Sequence, residues 1–252
     1  MKPLGLALID YRRGSKSASI TIIRDDGLEV DVPVSSFFRG PEDLTVLERM
    51  ALDRCRDHVL DVGAGSGHHS LVLQKRGLPV CAIDISAEAV QVMRDAGVAD
   101  AREVNVFQLV GSRFDTIIML GHGIGMAEDI NGLRRLLKHL AALLRPEGQL
   151  LADSVDPRAT GEPQHLAYHE ANRKAGRYPG ETRLRLRFKG QTGPEYGWLL
   201  IDPETLAAEA SALGWTTEVI HQEADGNYLA RLIRAKAVSR GSILPHKQPH
   251  RT

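Results

Sequence analysis

The stretch Val59-Leu60-Asp61-Val62-Gly63-Ala64-Gly65-Ser66-Gly67 constrains the fold of this chain more than any other. A short apolar run enters a glycine-rich turn, and the residues beyond it open a helix. A second apolar run, Val80-Cys81-Ala82-Ile83, ends on Asp84. Glycines let a backbone approach a bound group closely, and a carboxylate at a strand end can grip two ribose hydroxyls. The pattern predicts a nucleoside cofactor. A tight turn that binds nothing is the plainer alternative.

The rhythm around this stretch is that of an α/β domain. Strands are expected at 58–62, 79–84, 102–106, 114–120 and 148–154, with helices at 67–76, 86–96 and 130–144 between them. The last helix is marked by Leu133, Leu136, Leu137, Leu140 and Leu144 at helical spacing, with Arg134, Arg135 and Lys138 off that face. Continuous apolar strands between amphipathic helices imply a parallel sheet covered on both faces, a Rossmann-like doubly wound architecture. A helix at 203–213 and strands near 215–222 and 227–234 complete it.

Two segments depart from that rhythm. Residues 1–41 read as an N-terminal extension packed on the core: a helix near 4–12, then a β-hairpin of 20–23 and 28–32 turning at Asp25-Asp26-Gly27. A helix is expected from Pro41 to about residue 55. Residues 42–236 form the main domain. Within it, 155–200 is polar and broken by prolines, an insert on the substrate side that contains one period-2 strand at 182–188. The tail 237–252 has basic residues and no acid, and is expected to be flexible.

Composition narrows the partners. Lys+Arg and Asp+Glu are equal at 32 each, so no global field attracts nucleic acid, and no nucleic-acid partner is expected. No apolar run is long enough for a bilayer. Cys55 and Cys81 alone make neither a disulfide framework nor a zinc site, and no metal is expected. The short apolar start is cut off by Asp10, Arg12 and Arg13, which reads as a packed helix, with the cytoplasm as the expected location. A monomer or a homodimer fits equally.

Dinucleotide binding requires G-x-G-x-x-G, and His68 stands where the third glycine belongs. A P-loop fails as well, for want of Gly-Lys-Ser/Thr. Instead Val59 to Ser70, Ile83-Asp84-Ile85-Ser86, Phe114-Asp115-Thr116-Ile117-Ile118 and Leu144-Arg145-Pro146-Glu147-Gly148-Gln149-Leu150, in that order, resemble the class I S-adenosylmethionine-dependent methyltransferases. The resemblance spans roughly 45–154 and implies a seven-stranded, mostly parallel sheet whose last hairpin is antiparallel. It also implies S-adenosylmethionine as cofactor. Asp61 and the turn Gly63, Ala64, Gly65 and Gly67 would hold its methionine part, Asp84 its ribose, and Ile85, Asn105 and Val106 its adenine. Asn105 stands where the family often has an acid. Leu120, Gly121 and His122 would close the site under the methyl group.

Methyl transfer from a sulfonium is an in-line displacement, so alignment of the acceptor is the main demand. A general base matters only where the attacking atom must lose a proton. The Asn/Asp-Pro-Pro-Tyr element of amide and exocyclic-amine methyltransferases is absent after the fourth strand, where Met119-Leu120-Gly121-His122-Gly123-Ile124-Gly125-Met126 stands. His122 lies at a strand's carboxyl end, and imidazole is the side chain most suited to act as a base near neutral pH; a hydrogen-bonding or packing histidine is the plain reading. Phe38 and Arg39, with Tyr168 and Tyr196 of the insert, are the candidates for the acceptor side. Phe37 and Phe38 read equally as core staples, and Arg39 as a partner for the cofactor carboxylate. Arg183, Arg185 and Arg187 share one strand face and suit an anionic substrate or a solvated edge. The expectation is methylation of a small molecule at O, N or C. The alternatives are an RNA or protein methyltransferase, or a fold member that uses the cofactor for a non-methylating reaction.

Overall fold

The structure, a computed structural model, describes residues 2–235. In chain order the elements are α1 (Lys2–Arg12), β1 (Ser19–Arg24), β2 (Glu29–Pro33), α2 (Val46–Leu52), β3 (Val59–Val62), α3 (His68–Lys75), β4 (Val80–Asp84), α4 (Ala87–Ala96), β5 (Asp100–Glu103), β6 (Phe114–Met119), α5 (Ile130–Leu143), β7 (Leu144–Val155), α6 (Pro163–Lys174), β8 (Glu181–Phe188), β9 (Gln191–Thr192), β10 (Tyr196–Leu199), α7 (Pro203–Ser211), β11 (Trp215–Gln222) and β12 (Asn227–Arg234).

Seven strands form the main sheet in the order β11-β12-β7-β6-β3-β4-β5. The five strands β3 to β7 run parallel, while β12 is antiparallel to β7 and β11 to β12. This is the expected Rossmann-like sheet. All four residues of β3 are buried, as a strand covered on both faces requires. Strand alternation divides the core. Ile117, Met119 and Leu150 pack with the leucines of α5 and with Leu206 of α7, while Ile118, Leu120 and Leu151 pack with α2 and α3 on the other face. Local chemistry sets the helix ends. Asp129 caps α5 by accepting the Gly132 N–H at 2.6 Å, Ser86 caps α4, and Gly97 ends α4 in the left-handed region.

The N-terminal segment and the insert make one structure. β1 pairs antiparallel with β8, Ile22 opposite Leu186, in a second sheet of order β10-β8-β1-β2 with β9 beside β8. Its apolar face (Ile20, Leu186 and Phe188) packs on Ala7 and Leu8 of α1, and α1 rests against Ala89 and Val92 of α4. Its other face carries the arginines. Arg187 pairs with Glu29, and Arg185 and Arg183 approach Glu195 at 3.1 and 3.8 Å. These cross-strand pairs account for the arginine row as a solvated face. Arg24 is buried, held by both oxygens of Asp26, by His165 of α6 and by the Tyr168 ring 4.2 Å away. The insert thus docks on the N-terminal hairpin through a compensated buried charge.

Several expected bounds are corrected. The strand expected at 102–106 is β5, ending at Glu103, because the Asn105 side chain accepts the Phe107 N–H at 3.0 Å and starts a 3₁₀ turn, Val106–Gln108. The helix expected from Pro41 is a 3₁₀ turn, Pro41–Asp43, followed by α2, which begins behind the Thr45/Glu48 capping box. The insert holds α6, β9 and β10 besides the expected strand. The tail expected to be flexible, 237–252, lies outside the described residues. Among the described residues no helix is long and apolar enough to cross a membrane.

Candidate functional site

The glycine turn joins β3 to α3 with Gly63, Gly65 and Gly67 at φ +72°, +56° and +80°, conformations that side chains disfavour. The three glycines differ in what surrounds them. A methyl group on Gly67 would lie 2.8 Å from Val98 Cγ2 and 2.9 Å from Met93 Cγ, and one on Gly63 would lie 2.9 Å from Met126 Cε. A methyl on Gly65 would meet nothing nearer than the Gly63 carbonyl at 4.0 Å. Gly63 and Gly67 therefore permit internal packing, whereas Gly65 faces open space. Ala64 is buried against Ala82, Val90 and Met93.

Two carboxylates flank the turn. Asp61 is buried and accepts the Ser70 hydroxyl at 2.6 Å, tying the strand end to the first turn of α3. Asp84 accepts the Gly65 N–H at 3.0 Å through Oδ2 and the Ser86 N–H at 2.9 Å through Oδ1. Burial pushes its carboxyl above the usual range, and the backbone donors of Ser86, Gly65 and Ile85 oppose that shift. Next to it Ile85 is 56% exposed, a large apolar side chain beside a strand-end acid. Asn105 and the partly buried Val106 stand beyond the neighbouring strand end. An open glycine, a carboxylate with free lone pairs and an uncovered isoleucine fit the carboxylate-binding, ribose and adenine needs of S-adenosylmethionine.

His122 follows β6 at the same edge of the sheet. It sits in the left-handed region at φ +59° and begins a 3₁₀ turn, Gly123–Ala127. Its strained backbone is held by Asp153 of β7, whose two oxygens accept the Gly121 N–H at 3.2 Å and the His122 N–H at 2.8 Å. Burial raises the Asp153 carboxyl, and the nearby His122 pulls it back. The imidazole is half-buried, with Nε2 2.8 Å from Asn227 Oδ1. Leu120 turns into the apolar cluster with α2 and α3.

The segment before α2 lies against the glycine turn. The Ser66 hydroxyl donates to the Phe37 carbonyl. Glu48, buried on α2, accepts from Arg39 and from His69 Nε2 at 2.9 Å, and His68 Nε2 lies 3.5 Å away. Burial alone raises the Glu48 carboxyl. The donors of His68, His69 and Arg39 outweigh it and hold the group well below the carboxylate range. The ligand atoms of Glu48, His68 and His69 are close enough to share a cation, but the guanidinium of Arg39 already supplies that charge. Arg39, expected on the cofactor carboxylate, reaches Glu48 through one terminal nitrogen.

The remaining acceptor-side candidates are scattered. Phe38 stacks on Tyr11 at 4.6 Å. Tyr168 donates to Asp25 at 2.7 Å and lies under Arg24, so its hydroxyl and ring are both engaged between β1 and α6. Tyr196 is set edge-on to Trp198, and burial pushes its hydroxyl up to about 12. A cavity of about 420 Å³ opens beside Tyr196, between Glu128, Arg177 and Arg183. Trp198 packs on Gly125, where a methyl would lie 2.4 Å from Nε1, so the second sheet is seated on the turn that follows His122. No sequence motif singles out Asn227 or Glu48 for this site. Asp153 had a signal, an acid closing the apolar run Leu150-Leu151-Ala152, as Asp84 closes Val80–Ile83.

Comparison with known proteins gives the family and the fold. Residues 42–218 match a family model described as a methyltransferase domain. A solved SAM-dependent methyltransferase from Bacteroides fragilis, in complex with S-adenosyl-L-homocysteine, is 36% identical with a TM-score of 0.81, over 92% of this chain and 94% of that one. The sugar N-methyltransferase KedS8 from Streptoalloteichus sp shares the fold at 17% identity and a TM-score of 0.52, over 83% of this chain and 96% of that one. A curated ubiquinone biosynthesis O-methyltransferase from Coxiella burnetii is 28% identical over 106 residues, 39% of this chain. The match spans 44% of that protein, less than half its length.

Proposed function

The chain belongs to the class I S-adenosylmethionine-dependent methyltransferases, and we propose that it methylates a small molecule at an oxygen, nitrogen or carbon that carries a proton. When bound, S-adenosylmethionine supplies an electrophilic methyl group with a neutral thioether as leaving group. In this reading Asp61 and the Gly63–Gly67 turn, with Ala64, hold the methionine part. Asp84 accepts the ribose hydroxyls. Ile85, Asn105 and Val106 cover the adenine. His122 accepts the proton of the attacking atom.

The observation that carries the small-molecule reading is the second sheet. The N-terminal hairpin and the insert pair across the chain and sit, through Trp198 on Gly125, over the strand ends beside His122. A lid of that kind encloses a compact acceptor and excludes water. The ubiquinone-pathway relative, itself an O-methyltransferase by name, supports the same class of acceptor. We assign residues 42–236 to the catalytic domain, and its insert 155–200, together with residues 1–41, to that lid.

The test is methyl-labelled S-adenosylmethionine incubated with the enzyme and a cell extract split by mass. Label in the low-mass fraction, matched by S-adenosylhomocysteine, is expected. Label confined to protein or RNA would overturn the small-molecule assignment.

A further inference from the structure

We propose that Asn227 is a positioning residue that fixes His122 as the Nε2–H tautomer and leaves Nδ1 bare for the acceptor, with Asp225 holding the Asn227 amide in place. This rests on the reading of His122 as the base.

The amide's orientation follows from its neighbours. Asn227 Nδ2 donates to Asp225 Oδ2 at 2.7 Å, and the Asn227 backbone N–H donates to Asp225 Oδ1 at 3.0 Å. An ionised carboxylate only accepts, so the NH₂ end of the amide must face it. The carbonyl end is then turned to His122 Nε2, 2.8 Å away. An amide oxygen only accepts as well, so Nε2 must carry the hydrogen. Hydrogen bonds from the Asn227 backbone and side chain hold Asp225 below the ordinary carboxylate range, so it stays ionised where a histidine titrates.

Topology makes the contact possible. β12 runs antiparallel to β7, with Asn227 opposite Val155, so the first residue of β12 arrives at the carboxyl end of the parallel strands. The Asp225-Gly226 turn of the last hairpin thereby faces the loop after β6. Gly226, at φ +89°, packs so closely on Ala159 that a methyl there would lie 2.4 Å away, which anchors the turn against the chain that leaves β7. Asp153 grips the backbone of His122 from β7 while Asn227 grips its ring from β12. The charged groups facing the imidazole are Asp153 and Asp225, with His69 of α3 near Asp153. A neutral amide as the direct partner orients the ring without the added basicity that a carboxylate in contact would bring.

The test reads the ring itself and needs no acceptor. The full-length enzyme, labelled with ¹⁵N-histidine, is followed by long-range ¹H–¹⁵N NMR from pH 5 to 9, with His122 assigned by the loss of its signals in His122→Asn. Wild type is expected to show Nε2 protonated and Nδ1 bare above the midpoint. Asn227→Ala is expected to give a mixture of tautomers. Asn227→Asp is expected to keep the wild-type tautomer and raise the midpoint by about one pH unit, the low end for a carboxylate in contact. Asp225→Asn, which leaves the direct contact intact, serves if the Asn227 variants do not fold, and is expected to give a partial mixture. A wild-type ring protonated on Nδ1, an unchanged tautomer in Asn227→Ala, or, where those variants do not fold, an unchanged tautomer in Asp225→Asn would overturn the proposal. An unmoved midpoint in Asn227→Asp would do so too. The base reading fails separately, if His122→Ala turns over like wild type.

Discussion

Gly65→Ala and Gly67→Ala, two substitutions two residues apart, should fail in opposite ways. Both place a side chain at positive φ, which costs roughly 1–2 kcal/mol for a non-glycine residue. At Gly67 the new methyl also runs into Val98 and Met93, both buried and both within 3 Å of it. Overpacking of that kind adds about 1–3 kcal/mol, so Gly67→Ala should lose about 2–5 kcal/mol in all. At Gly65 the methyl meets nothing within contact distance, so the fold bears only the backbone cost. For a chain of this size each kcal/mol lowers Tm by about 2–4 °C, so Gly65→Ala should melt a few degrees low and Gly67→Ala clearly lower. The methyl on Gly65, however, fills the space above the turn where the cofactor lies in this account. Calorimetric titration with S-adenosylhomocysteine should show at least a tenfold loss of affinity, about 1.4 kcal/mol, in the folded Gly65→Ala protein. Wild-type affinity in that variant would refute the reading of the turn. Equal melting of the two variants would refute the packing argument.

Other outcomes follow from the same geometry. Asp84→Ala should weaken S-adenosylhomocysteine binding at least tenfold, since a hydrogen bond to a charged group is worth about 1.5–3 kcal/mol. Because burial raises the Asp84 carboxyl and ribose donors need it ionised, wild-type affinity should climb as pH rises through that raised value, and titrations across the acid range would show it. Its own ionisation works against folding, so any stability it lends is present below the unfolded value of 3.8 and fades as pH rises through the folded one. Glu48 has the opposite sign. Its lowered carboxyl stabilises the fold above the unfolded value of 4.5 and loses that effect as pH falls, and Glu48→Gln should flatten this acid dependence while costing about 1–3 kcal/mol, read by melting curves at pH 3 to 7. Gly125→Ala should push Trp198 off the turn after His122, destabilise by about 1–3 kcal/mol and speed proteolytic nicking within 155–200; an unchanged digestion pattern would contradict the seating of the lid.

What could be read from the chain alone follows the range of the interactions involved. The β3 turn, the acid ending β4 and the leucine face of α5 are local patterns, and each produces its element where the pattern stands. The second sheet is legible only in halves. The alternation of 182–188 marks a strand, but nothing local says that Leu186 will sit opposite Ile22 of the N-terminal hairpin. α6 leaves no periodic signal because its buried residues are Tyr168, His169 and Asn172, which make no apolar stripe. β5 ends before its apolar pattern does because one asparagine side chain takes over the hydrogen bonding of the next turn. The supports of His122 were hidden for a similar reason. Asp153 and Asn227 belong to strands adjacent in the sheet but distant in the chain, and only the antiparallel entry of β12 brings the second to the site.

In the proposed function the cofactor lies on the Gly63–Gly67 turn with its reactive centre turned toward His122 beneath the second sheet. A crystal structure with S-adenosylhomocysteine bound would show whether it does. Ribose hydroxyls are expected on Asp84, adenine against Ile85 and Val106, the amino-acid end at Gly65, and the sulfur facing a cavity into which His122 Nδ1 points. Ribose away from Asp84, or a sulfur facing a wall that His122 does not share, would contradict it.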